Sequence, residues 1–389
     1  MPLKTIDLVY INAGGGHRSA ALALDAVIRE QGRPWQVRLV NLFEVLDPNG
    51  VFRKATGMNP EDYYNKRLAR GWTLGLAQEL KLLQALIRLT HTRITRQLRE
   101  HWRRTQPDLV VSLVPNFNRA MFQAAAAAVP DAAYVTIMTD FADFPPHFWM
   151  EPDQPQHLIC GTPRAVAQAR DMNWDERRLH ATSGMIIRPD FYRERPLDRP
   201  AEMRRLGLDP ARPTGIVVFG GHGSRVMRGI ARRLDRTQLI LICGHNRTLA
   251  ARLATQSATA PRAVVGFTPD MTYYMKLSDF FIGKPGPGSI SEAVQQGLPV
   301  IVVRNALTMP QERYNADWVL ENHAGVVLDS FRAVDHGVAT VIARLGEFRA
   351  SIGRIRNRAV FEIPAVLHAL LRRERPEELL PPARAYAGH

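Results

Sequence analysis

Cysteine, acidic side chains and long apolar runs are all scarce in this 389-residue chain. Its two cysteines, Cys160 and Cys243, lie far apart and form neither a metal-ligand spacing nor a disulfide framework, which fits a reducing cytoplasm. The most apolar stretch, Ala120 to Met138, is broken by Gln123, Pro130 and Asp131, so nothing approaches the roughly 18 apolar residues that cross a bilayer. The start, MPLKTIDLVYINAGGG, passes from one lysine straight into an apolar segment, without the h-region and cleavage site of a signal peptide. An intracellular protein is expected.

Asp and Glu number 37 against 51 Lys and Arg, a formal charge of +14. That excess predicts polyanionic company: nucleic acid, anionic lipid or phosphate-bearing substrates. The basic residues do not interleave with aromatics for base stacking and no nucleic-acid motif occurs, so no nucleic-acid partner is expected. The charge is concentrated instead. From Arg53 to Arg104 there are twelve basic residues against Glu61, Asp62, Glu79 and Glu100, and Leu76, Leu80, Leu83, Ile87 and Ile94 recur at helical spacing. The pattern predicts a basic amphipathic helix whose Leu and Ile turn toward the domain while its arginines face an anionic membrane surface.

What is abundant is alternation. The apolar runs DLVYIN, QVRLVNL, DLVVSLV, AAYVTIM, TGIVVFGG, QLILICG, AVVGF, DFFIGK, LPVIVV and AGVVL are separated by helical patterns, which predicts an α/β protein with parallel sheets. The length exceeds what one hydrophobic core supports. A seam of prolines and charges without apolar period runs over 188–213. Each side of it opens with a β-run feeding glycines, VYINAGGGH and VVFGGHGS, so two Rossmann-like halves are expected. The expected domains are 1–190, which holds the membrane-facing basic segment, 191–360, and a C-terminal helix and tail over 361–389 packing back on the first.

The chemistry concentrates in SDFFIGKPGPGSISEAVQQGLPVIVV, residues 278–303. A strand ends at Lys284, Pro285 to Gly288 turn the chain, and Ser289 opens a helix. Glycines admit close approach, and free N–H groups with the positive end of the helix dipole favour a phosphate. Glu292, one turn in, is placed to accept from ribose hydroxyls. Gln311, Glu312 and Asn315 open a later helix, and Phe267 after Gly266 offers an apolar wall. The plainer reading is a βα turn whose Pro and Gly merely end a strand.

These stretches carry a resemblance. GKPGPGSISEAVQQGLPVIV followed by PQERYNADWVLENHAGVV resembles the donor-binding half of the glycosyltransferases that include the monogalactosyldiacylglycerol synthases, the processive diacylglycerol glucosyltransferases and the peptidoglycan lipid-intermediate N-acetylglucosaminyltransferase. GGGHRSAALAL and TDFADFPPHFW are similar to N-terminal segments of the diacylglycerol branch. The resemblance covers most of residues 8–328. It implies a GT-B fold, two facing Rossmann-like domains with a cleft between them, and an inverting transfer of a hexose from a UDP-sugar to a membrane lipid, diacylglycerol first. The donor diphosphate would meet Gly221, Gly223, Ser224 and the turn from Gly286 through Pro287 and Gly288 to Ser289. Glu292 would hold the ribose, Phe267 the uracil, and Gln311, Glu312 and Asn315 the sugar. Gly244, His245 and Asn246 line the same pocket, as does Lys284. The UDP-sugar is a substrate, and no cofactor or metal is implied. Two departures stand out: Val114 precedes Pro115 where the plant-type synthases carry His, and His222 occupies a position where a small residue is commoner.

On the acceptor side the resemblance points to Gly15, Gly16, Asn116, His147 and Trp149, with His17 as the base. An imidazole suits the removal of a hydroxyl proton during attack at an anomeric carbon. Asp140, at the end of the AAYVTIMTD run, is a second candidate base or an orienting partner for His17. Other readings stay open at this stage: His17 bonding within its own turn, Asp140 as a cap, the PPHFW aromatics as packing. Two other functions share parts of the pattern, a UDP-sugar epimerase on the same fold and transfer to another acceptor.

Overall fold

The computed structural model describes residues 3–12, 15–50, 53–54, 57 and 76–373. Gly14 of the first glycine loop and Lys66, Arg67 and Arg70 of the basic segment lie outside them. The chain forms two compact units, one from the described residues within 3–57, 76–189 and 357–373, the other from 190–356.

The first unit holds a parallel sheet of β1 (Lys4–Tyr10), β2 (Trp35–Asn41), β3 (Leu109–Ser112), β4 (Ala133–Ile137), β5 (His157–Cys160) and β6 (Leu179–Ala181), in the order β2-β1-β3-β4-β5-β6. The central strand β3, LVVS, is buried throughout, as a parallel strand covered on both faces must be. β5 and β6 extend the sheet beyond the ten runs that stand out in the sequence. The C-terminal helix Ala359–Arg372 belongs to this unit: Ser183 Oγ donates to Glu362 at 2.7 Å, and Gln31 Nε2 donates to the Phe361 carbonyl at 3.2 Å.

The second unit holds β7 (Thr214–Val218), β8 (Gln238–Ile242), β9 (Arg262–Val265), β10 (Phe280–Gly283), β11 (Val300–Val303) and β12 (Gly325–Leu328), all parallel, in the order β12-β11-β10-β7-β8-β9. Taken from the other edge, that is the doubly wound order in which the chain reverses direction beside its first strand. The side chains of Val217, Leu239, Leu241, Phe280, Ile282 and Ile301 form its core with the covering helices.

Within the 188–213 seam, Asp198 accepts from the Ala201 N–H at 3.0 Å and caps the helix Arg199–Arg205, started by Pro200. One local expectation needs correction. The basic segment is not one helix but two, Leu76–Leu89 and His91–Thr105, broken at Thr90. Ile87, Ile94, Leu98 and Trp102 turn inward from them. Leu83, expected inside, is instead exposed with Leu82, Leu86 and Leu89.

Candidate active site

In an open α/β sheet, ligands bind beyond the strand C-termini where the strand order reverses. Each unit has such a point. In the first it lies between β1 and β3, so the chain leaving β1 into the glycine loop and the chain leaving β3 at Leu113 diverge around a gap. His17, in the first turn of the helix Gly16–Glu30, sits there. Gly15 has φ +82°, a conformation that excludes most other residues, and no described atom lies within 4 Å of where a Cβ on Gly15 or Gly16 would be.

The His17 ring is held from three sides. Its Nδ1 lies 3.1 Å from the Thr139 hydroxyl, it donates to the Leu113 carbonyl, and the Trp149 ring packs against it at 5.8 Å. Burial pushes its pKa down to about 4, partly opposed by the bond to Leu113. The imidazole is therefore neutral at physiological pH, the state a proton acceptor requires.

Asp140 contacts the ring behind His17. It is buried, and its Oδ2 accepts from the Trp149 indole N–H at 2.9 Å, so it positions the aromatic ring behind the histidine. Trp149 is itself 0% exposed, which corrects its expected contact with an acceptor. Two residues that the sequence pattern does not single out complete the arrangement. Thr139 fixes one ring nitrogen of His17. Asp143, buried, accepts from the backbone N–H groups of Trp149 at 2.6 Å and His147 at 2.9 Å, while burial raises its pKa.

His147 and Asn116 lie on the accessible side. They line a cavity of about 430 Å³ with Gln84, Arg88, Arg119 and Glu151. Both adopt positive φ, 64° and 65°, and Gln84 Nε2 donates to Asn116 Oδ1 at 3.0 Å. The helix Leu76–Leu89 contributes to this cavity through Gln84, Ile87 and Arg88 and carries the exposed leucines alongside, while its Leu80 packs on the cluster of Met138, Phe148 and Trp149.

In the second unit the order reverses between β10 and β7. The loops along this edge therefore follow one another as Arg304 to Glu312 after β11, Lys284 to Pro287 after β10, Phe219 to Arg225 after β7, Cys243 to Asn246 after β8, and Gly266 to Asp270 after β9. At the β10 loop, Gly286 precedes the helix Pro287–Gln295, and the N–H groups of Gly288 and Ser289 have no partner among the described residues. Lys284 Nζ donates to buried Glu312 at 2.6 Å. Asn315 is wholly buried, its Nδ2 donating to the Pro285 carbonyl at 2.8 Å and its Oδ1 unpartnered among the described residues. Gln311 is only partly covered, and Glu292 is partly exposed one turn into the helix.

The β7 and β8 loops are knitted together, which revises the roles expected of their glycines. A Cβ on Gly244 would stand 2.1 Å from the Gly221 carbonyl oxygen, and one on Gly223 would stand 2.8 Å from the Cys243 carbonyl oxygen. These two glycines exist to let the loops touch. Gly221, like Gly220 before it, leaves open space, with no described atom within 4 Å. Asn246 is also structural, its Oδ1 accepting from the Leu249 N–H at 3.0 Å and its Nδ2 donating to the His222 carbonyl at 3.3 Å. Ser224 is buried and its Oγ accepts from the Val226 N–H at 3.3 Å. Phe267, by contrast, is 59% exposed, its ring stacked on His245 at 4.1 Å. Among the described residues no group of three or more His, Cys, Asp or Glu is placed to hold a metal ion, and no helix is long and apolar enough to cross a membrane.

Comparison with known proteins meets this geometry directly. Residues 215–354 match the model of the glycosyltransferase family 28 C-terminal domain. A crystal structure of MurG from Acinetobacter baumannii aligns over 94% of this chain and 99% of its own with a TM-score of 0.58 at 12% identity, and that of the glycosyltransferase VinC in complex with dTDP aligns over 95% and 100% with 0.58 at 13%. The two six-stranded parallel sheets are thus those of the GT-B fold. In sequence the chain is similar to the monogalactosyldiacylglycerol synthases. It is 25% identical to monogalactosyldiacylglycerol synthase 1 of Arabidopsis thaliana over 95% of this chain and 72% of that protein. It is 26% identical to the Nicotiana tabacum protein described as a probable synthase of the same kind, over 98% and 74%.

Proposed function

We propose that this glycosyltransferase moves a hexose from a UDP-sugar to the hydroxyl of a membrane lipid, diacylglycerol in the first instance, with inversion and from the cytoplasmic face. The observation that carries the lipid is the row of Leu82, Leu83, Leu86 and Leu89, between 41 and 84% exposed, beside the cavity lined by Asn116 and His147 in the unit that holds His17. Four large apolar side chains on one short helix face are costly in water and favourable in an acyl layer. Arg88 lies among them and Arg93 and Arg96 follow, each worth roughly 1 kcal/mol near an anionic surface.

The order of loops in the second unit supports the donor. A nucleotide-sugar is a linear molecule of sugar, two phosphates, ribose and base. Along the sheet edge the chain offers, in that sequence, the amide of Gln311 with the Lys284–Glu312 pair, which buried Asn315 backs through the Pro285 carbonyl, then the N–H groups of Gly288, Ser289 and Gly221 that have no partner among the described residues, and the exposed ring of Phe267. Gly286 and Pro287 shape the phosphate turn and Glu292 faces the ribose. His17 takes the acceptor proton as the new glycosidic bond forms and the bond to the leaving diphosphate breaks, with Thr139 and Leu113 holding its ring. Backbone N–H groups and helix ends carry the leaving charge without a metal or a cofactor.

The test is to incubate the protein with anionic liposomes containing diacylglycerol and a panel of UDP-sugars, then to weigh the lipid product. A mass gain of one or more hexoses, with UDP released only when lipid is present, supports the reading. Interconversion of the UDP-sugars without lipid would replace it with an epimerase.

A further inference from the structure

Three rings run along the donor edge of the second unit: His222 on the β7 loop, His245 on the β8 loop and Phe267 after β9. His222 and His245 stand 5.9 Å apart, tilted by 48°, and His245 and Phe267 stack at 4.1 Å with 14° between their planes. Both histidines are exposed. The loop that carries His222 is set up around it. The Gly221 carbonyl accepts from the His245 N–H at 2.8 Å and the His222 carbonyl accepts from Asn246 at 3.3 Å, so both acceptors are drawn toward β8. The Gly221 and His222 N–H groups donate to nothing among the described residues, and Gly221 borders open space. What the described residues leave unpaired in this loop is therefore a set of donors on a segment that also carries an exposed imidazole. Such a set suits an anion and nothing apolar.

We propose that the His222 imidazole is a ligand of the donor's diphosphate, held at the phosphate end of the ring column that His245 and Phe267 continue toward the base. This rests on the reading of the second unit as the nucleotide-sugar site. A residue beyond the glycine framework thereby makes the site distinguish a nucleoside diphosphate from the nucleoside alone. A hydrogen bond to a charged phosphate oxygen is strong enough to be read in binding.

The experiment is calorimetric titration of the whole protein with UDP, UMP and uridine, comparing wild type with His222→Ala, His222→Gln, Arg225→Ala and Phe267→Ala. His222→Ala is expected to weaken UDP about 10-fold or more while changing uridine by less than about 2-fold, and His222→Gln, which keeps a donor, to recover part of the loss. Phe267→Ala is expected to weaken all three ligands by a similar factor. Equal loss for UDP and uridine in His222→Ala, no loss for either, or a UDP-specific loss found only in Arg225→Ala would overturn the assignment while leaving the donor site standing. Failure of the wild type to bind any of the three would remove the donor site and this assignment with it.

Discussion

The Thr139 hydroxyl lies 3.1 Å from Nδ1 of His17, and among the described residues no other side chain hydrogen-bonds to that ring. A base whose ring is aimed by this hydroxyl and the Leu113 carbonyl depends on both, and only the hydroxyl can be removed by substitution. Thr139→Val should lower kcat by about 10-fold with KM for either substrate little changed, and Thr139→Ser should restore it. His17→Ala should lower kcat by about 10²- to 10⁴-fold, the range of a lost general base. Steady-state kinetics on folded variants checks both, and full activity in His17→Ala would end its role as base.

Burial holds the His17 pKa near 4, so the imidazole remains a competent acceptor well below neutrality. The acid limb of kcat/KM is expected closer to pH 4 or 5 than to the ordinary histidine value of about 6.5. A limb centred near 6.5 would show that another group governs the profile.

Stability should share this sign. His17 and His157 are lowered to about 4 and His180 to about 3, in each case chiefly by burial, and His157 and His180 stand 3.1 Å apart on β5 and β6. Between about pH 6.5 and 4 the unfolded chain binds protons that the folded chain refuses, so stability is lost as pH falls through that window. Thermal midpoints measured from pH 7.5 to 4.5 should decline, and His157→Gln should make the decline shallower.

Gly244→Ala and Gly221→Ala form a matched pair. The first places a methyl 2.1 Å from a carbonyl oxygen at φ +57° and should cost more than about 2 kcal/mol of stability. The second meets no described atom within 4 Å and should leave the thermal midpoint within a degree or two while raising KM for the UDP-sugar several-fold. Equal behaviour in both assays would erase the distinction between packing and ligand-facing glycines.

Leu86→Glu adds a charge to a side chain that is 53% exposed. Sedimentation with anionic liposomes should fall at least 10-fold, with folding intact and UDP affinity unchanged. Retained sedimentation would remove the leucine row from the membrane reading.

The α/β class was legible because buried parallel strands such as LILI and VIVV are continuously apolar, and the GT-B fold because the glycine-rich segments resemble a known family. β5 and β6 escaped because a histidine opens HLIC and divides LHA, leaving no continuous apolar run or period to read. The break at Thr90 was hidden by an apolar spacing that continues across it. Gly223 and Gly244 looked ligand-facing because sequence cannot tell a glycine that admits a ligand from one that admits a neighbouring loop. Asp143 was illegible for a similar reason, since its partners are backbone N–H groups of a turn that exists only once folded. Thr139 was within reach: it shares a strand end with Asp140, and the carboxylate drew attention from the hydroxyl beside it.

The clasp between the Gly221 carbonyl and the His245 N–H also sets the timing of donor capture. Loops already fastened to each other need not be ordered when a nucleotide arrives, so little conformational entropy is left to lose on binding. Arrival of the donor should then be limited by encounter rather than by rearrangement, with a single-phase association rate that rises linearly with nucleotide concentration.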